Sequence, residues 1–363
     1  MADNSRIEWT DATYNPIVGC SKASEGCQHC YAERMAHRLN SNPKTPQYWD
    51  LVVPAATNSK PWLEGTRWAG ITRLVEDALD QPLRWKRPRR IFVCSMGDLF
   101  HETVQEEWLD RVFAVMDRAR RHTFLVLTKR PARMLEYITS RRQTPAFTGR
   151  NFAFLMGARS PASGAPAHVP WPLPNVWLGV TAENQKRADE RVPLLLNTPA
   201  AVRFVSVEPM LEDVDLTRIR LGDAVSYDAL RGIKLAPGAE MHQQAKLDWV
   251  ICGGETGPGA RPMHPDWARS LRDQCVAAEV PFFFKQWGEW CPAESLWEAS
   301  TLQNGVFASS QVACDSEGRH YLTDNPKGHW FEDSYYSERV GTKAAGNALD
   351  GEIIEQLPEV GNG

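Results

Sequence analysis

Three cysteines near the N-terminus are the residues whose type and spacing indicate chemistry most directly. Cys20, Cys27 and Cys30 lie within eleven residues, in the run Gly19-Cys-Ser-Lys-Ala-Ser-Glu-Gly-Cys-Gln-His-Cys-Tyr31. An odd number of thiols in so short a loop does not form a disulfide framework, but it suits a metal ion or a cluster. Three thiolates, unlike four, leave one coordination position open to another molecule.

Two kinds of metal site agree with this spacing, and incidental cysteines are a third interpretation. A structural zinc ion would need a fourth ligand, for which His29, His37 and Cys94 are candidates, and the sequence has no second Cys-x2-Cys pair. An iron–sulfur cluster would instead be held by the three thiolates, with its fourth iron exposed. Three cysteines rarely fall so close together by chance.

Composition limits the class of protein. The chain has 363 residues, enough for one large domain of the α/β-barrel size, with 42% hydrophobic and 24% charged residues. No stretch approaches the roughly 18 apolar residues that span a bilayer, and the N-terminus lacks the apolar core of a signal peptide. We therefore expect a cytoplasmic protein without a membrane partner, whose eight cysteines are free or metal-bound.

The charge is unevenly distributed along the chain. The net charge is −4, yet residues 84–150 hold 15 Lys/Arg against seven Asp/Glu, a local excess of +8. A basic face of this kind is compatible with nucleic acid or another phosphorylated partner. An ordinary solvated surface explains it equally well.

Short apolar runs alternate with amphipathic helical patterns along most of the chain. The predicted strands are 13–18, 90–95, 123–128, 176–181, 202–207, 248–252 and 280–285, and the predicted helices are 31–39, 106–121, 184–196, 265–278 and one that opens at 129–131. This alternation predicts an α/β protein with a parallel sheet, closed or partly closed into a (β/α) barrel of about six to seven strands.

The barrel is expected to occupy residues 1–286. Two stretches without a clear period are interpreted as insertions, at about 143–174 and 216–246. The alternation stops after Lys285, and the Trp-rich segment 287–363 is interpreted as a C-terminal appendage that serves as a lid or packing cover.

Polar residues follow the ends of the predicted strands. Ligands bind at the carboxyl ends of parallel strands, because the βα loops converge there. A single such residue usually serves as a turn or helix cap, but a set of them around three thiols favours a site. The set is Cys20, Asp98, Lys129, Thr181, Glu183, Asn184, Glu208, Glu255, Lys285 and Gln286. Lys129 and Arg130 stand at a predicted helix start, where the helix dipole disfavours cations, so helix stability does not explain them. They are therefore the expected anchor for a carboxylate or phosphate.

The cysteine loop after the first predicted barrel strand resembles the radical S-adenosylmethionine (radical SAM) superfamily. That superfamily mostly uses Cys-x3-Cys-x2-Cys, so the first gap is wider here. Blocks along nearly the whole chain look like a phage-associated three-cysteine family of unassigned function. These blocks are 7–16, 19–20, 27–34, 95–102, 179–184, 206–210, 252–257 and 343–346.

The resemblance implies a cofactor set and roles for named residues. Cys20, Cys27 and Cys30 would hold a [4Fe-4S] cluster whose open iron binds S-adenosyl-L-methionine. His29 would pack near the adenine, and Asp98 would meet the methionine ammonium. The expected contacts to the cofactor ribose and carboxylate are Thr181, Glu183 and Asn184. The alternative to these cofactor contacts is a structural role, in which His29 is an exposed loop residue and Asp98 is a helix N-cap.

The function that the resemblance implies is a radical SAM enzyme that cleaves the cofactor and abstracts hydrogen from an unidentified substrate. Lys129, Glu208 and Glu255 are the predicted catalytic residues. A reductant protein of the flavodoxin or ferredoxin type is the expected partner, and the basic segment suggests a nucleic acid or nucleotide as substrate. The alternative is a non-catalytic zinc-binding protein that recognises nucleic acid or a partner protein.

Overall fold

A seven-stranded, all-parallel sheet forms the centre of the computed structural model, which describes residues 5, 7–54, 66–142, 172–222, 225–235, 244–292, 312–314, 320–322, 328–330 and 336–359. The strands follow one another in chain order. They are β1 (Ala12–Tyr14), β2 (Arg90–Val93), β3 (Thr123–Thr128), β4 (Val176–Thr181), β5 (Val202–Val207), β6 (Trp249–Gly253) and β7 (Phe282–Gln286). The sheet curls into a partial (β/α) barrel, which confirms the predicted fold.

Among the described residues, five longer helices flank the sheet. They are α1 (Tyr31–Asn40), α2 (Glu106–Arg118), α3 (Pro131–Arg142), α4 (Gln185–Asn197) and α5 (Pro265–Ala277). Proline stands at the first position of α3 and of α5, where no N–H is needed and the fixed φ suits the helix. Among the described helices, none has both the length and the apolar character that a bilayer crossing requires.

The two faces of the sheet pack against different partners. The convex face packs on the helices in one large apolar cluster, to which Val126, Val180 and Val250 belong. The concave face holds a second cluster, made largely of rings. Its buried members are Trp9, Leu125, Trp177, Val202, Phe204, Trp249, Ile251 and Phe283. Both faces are therefore apolar, which explains why the strands are continuous apolar runs.

Gly179 shows how tightly the concave face is filled. It lies on β4 between Leu178 and Val180, and a Cβ atom placed on it would lie 2.5 Å from the ring of Phe204. The missing side chain therefore makes room for that ring in the middle of the barrel.

The first strand is shorter than predicted. The prediction of a strand over 13–18 was wrong beyond Tyr14, because Ile17–Val18 leaves the parallel sheet and pairs antiparallel with Arg73–Leu74. Pro16 lies at the point of departure and has no N–H to donate to a neighbouring strand. A short pair, Val52–Pro54 with Thr66–Trp68, follows α1.

The segment predicted as an insertion at 216–246 contains a three-stranded antiparallel sheet. Its strands are Ile219–Arg220, Ser226–Asp228 and Ile233–Leu235. Of the other predicted insertion, 143–174, only residues 172–174 belong to the described chain. The described part of the chain before residue 290 also contains four single-turn helices. They are the 3-10 turns Glu25–Cys27 and Pro46–Tyr48 and the helices Glu76–Leu79 and Gln81–Arg84.

The described C-terminal residues pack beside the last barrel strand. Trp290–Pro292 and Gly328–Trp330 pair with Tyr336–Arg339, and Val312–Cys314 pairs with His320–Leu322. The helix Thr342–Ala345 and the strands Ala348–Leu349 and Glu352–Ile353 follow.

Backbone contacts attach this C-terminal segment to the edge of β7. The Phe284 N–H donates to the Ile354 carbonyl at 2.8 Å, and the Phe282 N–H donates to the Gln356 side chain at 3.0 Å. The segment thereby covers an otherwise unpaired edge strand.

Candidate functional site

Close backbone contacts attach the cysteine loop to the carboxyl end of β2. The Gly19 N–H donates to the Met96 carbonyl at 3.0 Å, and Gly19 forms a parallel bridge with Gly97. A Cβ on Gly19, whose φ is +96°, would lie 2.3 Å from the Ile71 carbonyl oxygen. The chain therefore enters the loop at a point that only glycine fits.

The three thiols of the loop are free, half-buried and close enough to influence one another. Burial raises the pKa of Cys20 to about 12, with Asp98 and the other two cysteines adding to the rise. Burial also raises the pKa of Cys30. Burial opposes ionisation of Cys27 as well, yet Lys129 and backbone N–H groups lower its pKa. Cys27 is thus the thiol of the three that ionises most readily.

The described residues contain no group of three or more His, Cys, Asp and Glu side chains placed to hold a single metal ion. Three thiolates around one zinc ion would lie roughly 3.8 Å apart, given a Zn–S distance of about 2.3 Å. The loop in its described conformation does not have that arrangement.

Arg130 connects the cysteine loop to the ends of two strands. Its guanidinium donates to Cys20 Sγ at 3.6 Å, to Ser21 Oγ at 2.7 Å, to Asp98 Oδ2 at 3.0 Å and to Glu102 Oε2 at 2.8 Å. The prediction named Arg130 only as a companion of Lys129. The structure places it in direct contact with a cysteine.

Asp98 is buried at the end of β2 and accepts several hydrogen bonds besides that of Arg130. The donors are the Thr128 hydroxyl at 2.7 Å, the Phe100 N–H at 3.0 Å and the Lys129 N–H at 3.2 Å. The carboxylate therefore binds the loop after β2 to the end of β3. Its predicted contact with a cofactor ammonium stays a prediction.

Glu183 is the most buried charge of the site. It accepts from Arg191 at 2.8 Å, from the Gly26 N–H at 3.3 Å and from the Ser24 hydroxyl, and Lys129 Nζ lies 4.0 Å away. Burial would raise the pKa of this carboxyl, but Lys129 and Arg191 lower it, so it stays ionised. Glu183 thus joins the cysteine loop to α4.

The other two residues predicted at the end of β4 make local contacts. The Asn184 side chain accepts from the Arg187 N–H at 2.9 Å and caps α4, and the Thr181 carbonyl accepts from Arg191 at 2.8 Å. Both residues are buried. An N-cap asparagine satisfies a backbone N–H that would lack a partner within the helix.

His29 and Glu255 were predicted in separate roles, and the structure brings them together. His29 Nδ1 lies 3.1 Å from Glu255 Oε2, and Arg261 donates to the same carboxylate at 2.6 and 2.8 Å. Burial would raise the pKa of Glu255, but hydrogen bonds from Arg261 and His29 lower it. Glu255 at the end of β6 thus holds the far side of the cysteine loop.

Glu208 follows the carboxyl end of β5 and pairs with Lys285 of β7. Lys285 Nζ is 2.8 Å from Glu208 Oε1, and the Ser206 hydroxyl donates to Glu208 Oε2 at 3.0 Å. Burial would lower the pKa of Lys285, but Glu208 raises it. A Cβ on Gly253 would lie 3.0 Å from the Glu208 carboxylate, so this glycine makes room for the pair.

Sequence reasoning missed Arg191, Arg261 and His101. His101 is buried, and its Nε2 lies 2.9 Å from the Ser21 hydroxyl beside Cys20. Arg191 left a signal in the sequence, because it lies on the buried stripe of α4 with Ala188 and Val192. A charge at such a position needs a buried partner.

The chain matches a family model over residues 4–358, and the family is described as a protein of unknown function (DUF5131). No curated protein and no solved structure matches it. The match includes the cysteine loop, all seven barrel strands and the residues that follow them. The chain therefore belongs to the DUF5131 family.

Proposed function

We propose that this chain is a radical SAM enzyme. Cys20, Cys27 and Cys30 would hold a [4Fe-4S] cluster, and the enzyme would cleave S-adenosyl-L-methionine to abstract hydrogen from its substrate. The observation that carries the proposal is the placement of three free, half-buried thiols of one loop at the carboxyl ends of a parallel half-barrel.

Three thiolates can hold three irons of a cubane cluster and leave the fourth iron open to another molecule. The three thiols of the described loop lie close enough to influence one another's pKa. Cluster and S-adenosyl-L-methionine, when bound, supply the electron transfer and bond cleavage.

The residues of the chain prepare the thiols for metal binding. Only thiolates are metal ligands, and burial disfavours the thiolate form. Arg130 donates to Cys20 Sγ, and Lys129 lowers the pKa of Cys27, so both cations favour the ligating state. Asp98 holds Arg130, Glu183 lies beside Lys129, and Glu255 contacts His29.

The predicted roles divide by position. Lys129 and Glu255 act on the loop itself, whereas Glu208 with Lys285 lies on the concave face, where a substrate would enter the barrel. Asp98, Thr181, Glu183 and Asn184 stay the proposed contacts to S-adenosyl-L-methionine. A flavodoxin- or ferredoxin-type reductant would deliver the electron, and the free thiols of the described cysteines agree with a cytoplasmic protein.

Anaerobic reconstitution with iron and sulfide tests the proposal. The parent protein should bind about four irons and turn brown, whereas the Cys20→Ala/Cys27→Ala/Cys30→Ala variant should stay colourless. Cys275→Ala, a buried cysteine on α5, is the matched control and should behave as the parent. Reduced, reconstituted parent should then convert S-adenosyl-L-methionine to 5′-deoxyadenosine.

Metal analysis of protein purified without oxygen separates the proposal from the zinc alternative. Stoichiometric zinc without iron or sulfide would favour a non-catalytic zinc-binding protein. A triple variant that keeps the brown colour of the parent would show that the cluster assignment is wrong.

A further inference from the structure

A groove of about 420 Å³ lies between the N-terminal ends of α3 and α4, beside the cysteine loop. Ala23 of the loop forms part of its wall. None of its lining residues belongs to the concave-face cluster, so the groove is separate from the barrel interior near Glu208 and Lys285. Its volume lies within the range of small-ligand sites.

The lining of this groove is rich in cations. Five basic side chains line it, against two acidic ones, Glu102 and Glu190. The basic residues are Lys129, Arg130, Arg133, Arg187 and Arg191. Carboxylates outside the lining pair with four of these cations: Asp98 with Arg130, Glu25 with Arg187, and Glu183 with Lys129 and Arg191. The excess of cations therefore lies at the surface of the groove, where it favours an anionic ligand.

Arg133 is the basic residue of the groove without an ion pair to a described carboxylate. One terminal nitrogen donates to the Val104 carbonyl, and the other is buried without a hydrogen-bond partner among the described residues. A ligand at Arg133 would therefore not have to displace a described carboxylate from its guanidinium.

The two acidic residues of the groove are poor competitors for a ligand. The Glu102 side chain is 67% exposed and that of Glu190 is 46% exposed, while their partners Arg130 and Arg187 are 13% and 18% exposed. Exposed carboxylates contribute little to such pairs, because water solvates them well. A ligand anion can therefore replace Glu102 and Glu190, while Asp98 still holds Arg130 and Glu25 still holds Arg187.

We infer that this groove binds phosphate groups of a nucleic-acid strand and so presents the strand to the cysteine loop. A phosphate offers several acceptor oxygens, which suits guanidinium groups that approach from two helices. Because Ala23 lines the groove, a strand held there passes directly beside the thiols. The inference rests on the proposed function, for which it names the substrate class.

Fluorescence anisotropy with a 5′-fluorescein-labelled single-stranded 12-mer oligonucleotide tests the inference on the full chain. Arg133→Gln/Arg187→Gln should bind about tenfold more weakly than the parent, with a salt slope lower by roughly 1.4. Arg84→Gln/Arg272→Gln removes the same charge from exposed ion pairs outside the groove and should bind within about twofold of the parent.

A second variant, expected to bind more tightly than the parent, tests whether misfolding explains the weaker binding of the first. Glu102→Gln/Glu190→Gln removes the competing carboxylates and should tighten binding about threefold, which a folding defect would not do. Groove variants that bind as the parent does, or a control pair that weakens binding equally, would overturn the inference. If unlabelled AMP or inorganic phosphate competes as well as the unlabelled 12-mer, the groove binds a free phosphorylated ligand and the inference of a strand is wrong.

Failure of this inference and failure of the proposed function give different results. Binding is measured in parallel on the variant that lacks all three loop cysteines. Groove-dependent binding by a parent protein that takes up no iron would support the inference and reject the cluster. A parent that makes 5′-deoxyadenosine while its groove variants bind normally would reject the inference alone.

Discussion

The concave face of the half-barrel and the cysteine-loop end of the same sheet contain different kinds of side chain. The concave face is a cluster of apolar side chains, mostly rings, around Trp249 and Phe204. The loop end contains buried charges, each held by a partner from another strand or helix, such as Glu183 with Arg191. Burial of apolar area stabilises the first region, whereas burial of ions costs free energy unless every ion is paired.

The comparison supports the placement of the proposed site at the loop end of the sheet. Buried ion pairs are weak evidence for stability, because apolar residues of similar volume often replace them without loss. A chain that maintains Asp98, Glu183 and Glu255 in one place keeps them for another purpose. Here they hold Arg130, Lys129 and His29 against the cysteine loop.

The largest expected effect is a loss of stability when the apolar cluster of the concave face is disrupted. Trp249→Ala should lower the free energy of unfolding by about 4 kcal/mol, because it leaves a cavity among four neighbouring rings. Urea denaturation followed by circular dichroism measures the loss. Trp49→Ala, which truncates a half-exposed ring, should cost less than about 1 kcal/mol. Equal losses for the two variants would refute the idea that the concave cluster stabilises the barrel.

The next effect breaks the charged region. Arg191→Met should destabilise by about 3 kcal/mol, because the buried Glu183 loses its closer cation and keeps Lys129 at 4.0 Å. Restoring neutrality with Arg191→Met/Glu183→Gln should recover part of this loss in the same denaturation assay. Arg84→Met removes an exposed arginine from an i,i+4 pair and should change stability by no more than about 0.5 kcal/mol. A harmless Arg191→Met would mean that this buried pair is not needed for folding.

A smaller effect tests how tightly the concave face is packed. Gly179→Ala should cost about 2 kcal/mol, since its new methyl group meets the ring of Phe204. Gly179→Ala/Phe204→Leu should be less destabilised than the sum of its two single changes, which a double-mutant cycle in urea measures. Strict additivity would show that the two sites do not compete for the same space.

The smallest predicted effect is on the pH dependence of stability, and it adds a third place to the comparison. This place is the buried His122, directly before β3. Burial lowers the pKa of His122 from its usual 6.5, and the hydrogen bond between its Nε2 and the Pro82 carbonyl does not offset this. The unfolded chain therefore binds the proton more tightly, so stability is fully present above about pH 7 and falls as the pH drops below 6.5. His122→Phe should reduce the slope of the free energy of unfolding against pH in this range. Urea midpoints measured between about pH 5 and 8 test this expectation. An unchanged slope would assign the pH dependence to other groups.

Much of the fold followed from sequence because parallel strands buried on both faces carry a strong signal. The runs 123–128, 176–181 and 202–207 are apolar throughout, and the strands have those bounds. The small sheet of Ile219–Arg220, Ser226–Asp228 and Ile233–Leu235 escaped prediction, because strands of two or three residues have no measurable period.

The site divides in the same manner. Topology places strand ends together, so the sequence could indicate that Asp98, Lys129, Glu183, Glu208 and Glu255 lie at one edge of the sheet. It could not say which charge meets which, because His29 and Glu255 are 226 positions apart and meet only through packing.

The sequence by itself determined the parallel half-barrel, the three-thiol loop and the polar residues that follow the strands, since periodicity and spacing are local properties of the chain. Tertiary structure alone decided that Arg130 contacts Cys20, that Arg191 neutralises Glu183 and that a cationic groove lies beside the loop. These contacts depend on the distances between side chains from separate elements, and those distances are set only when the elements pack.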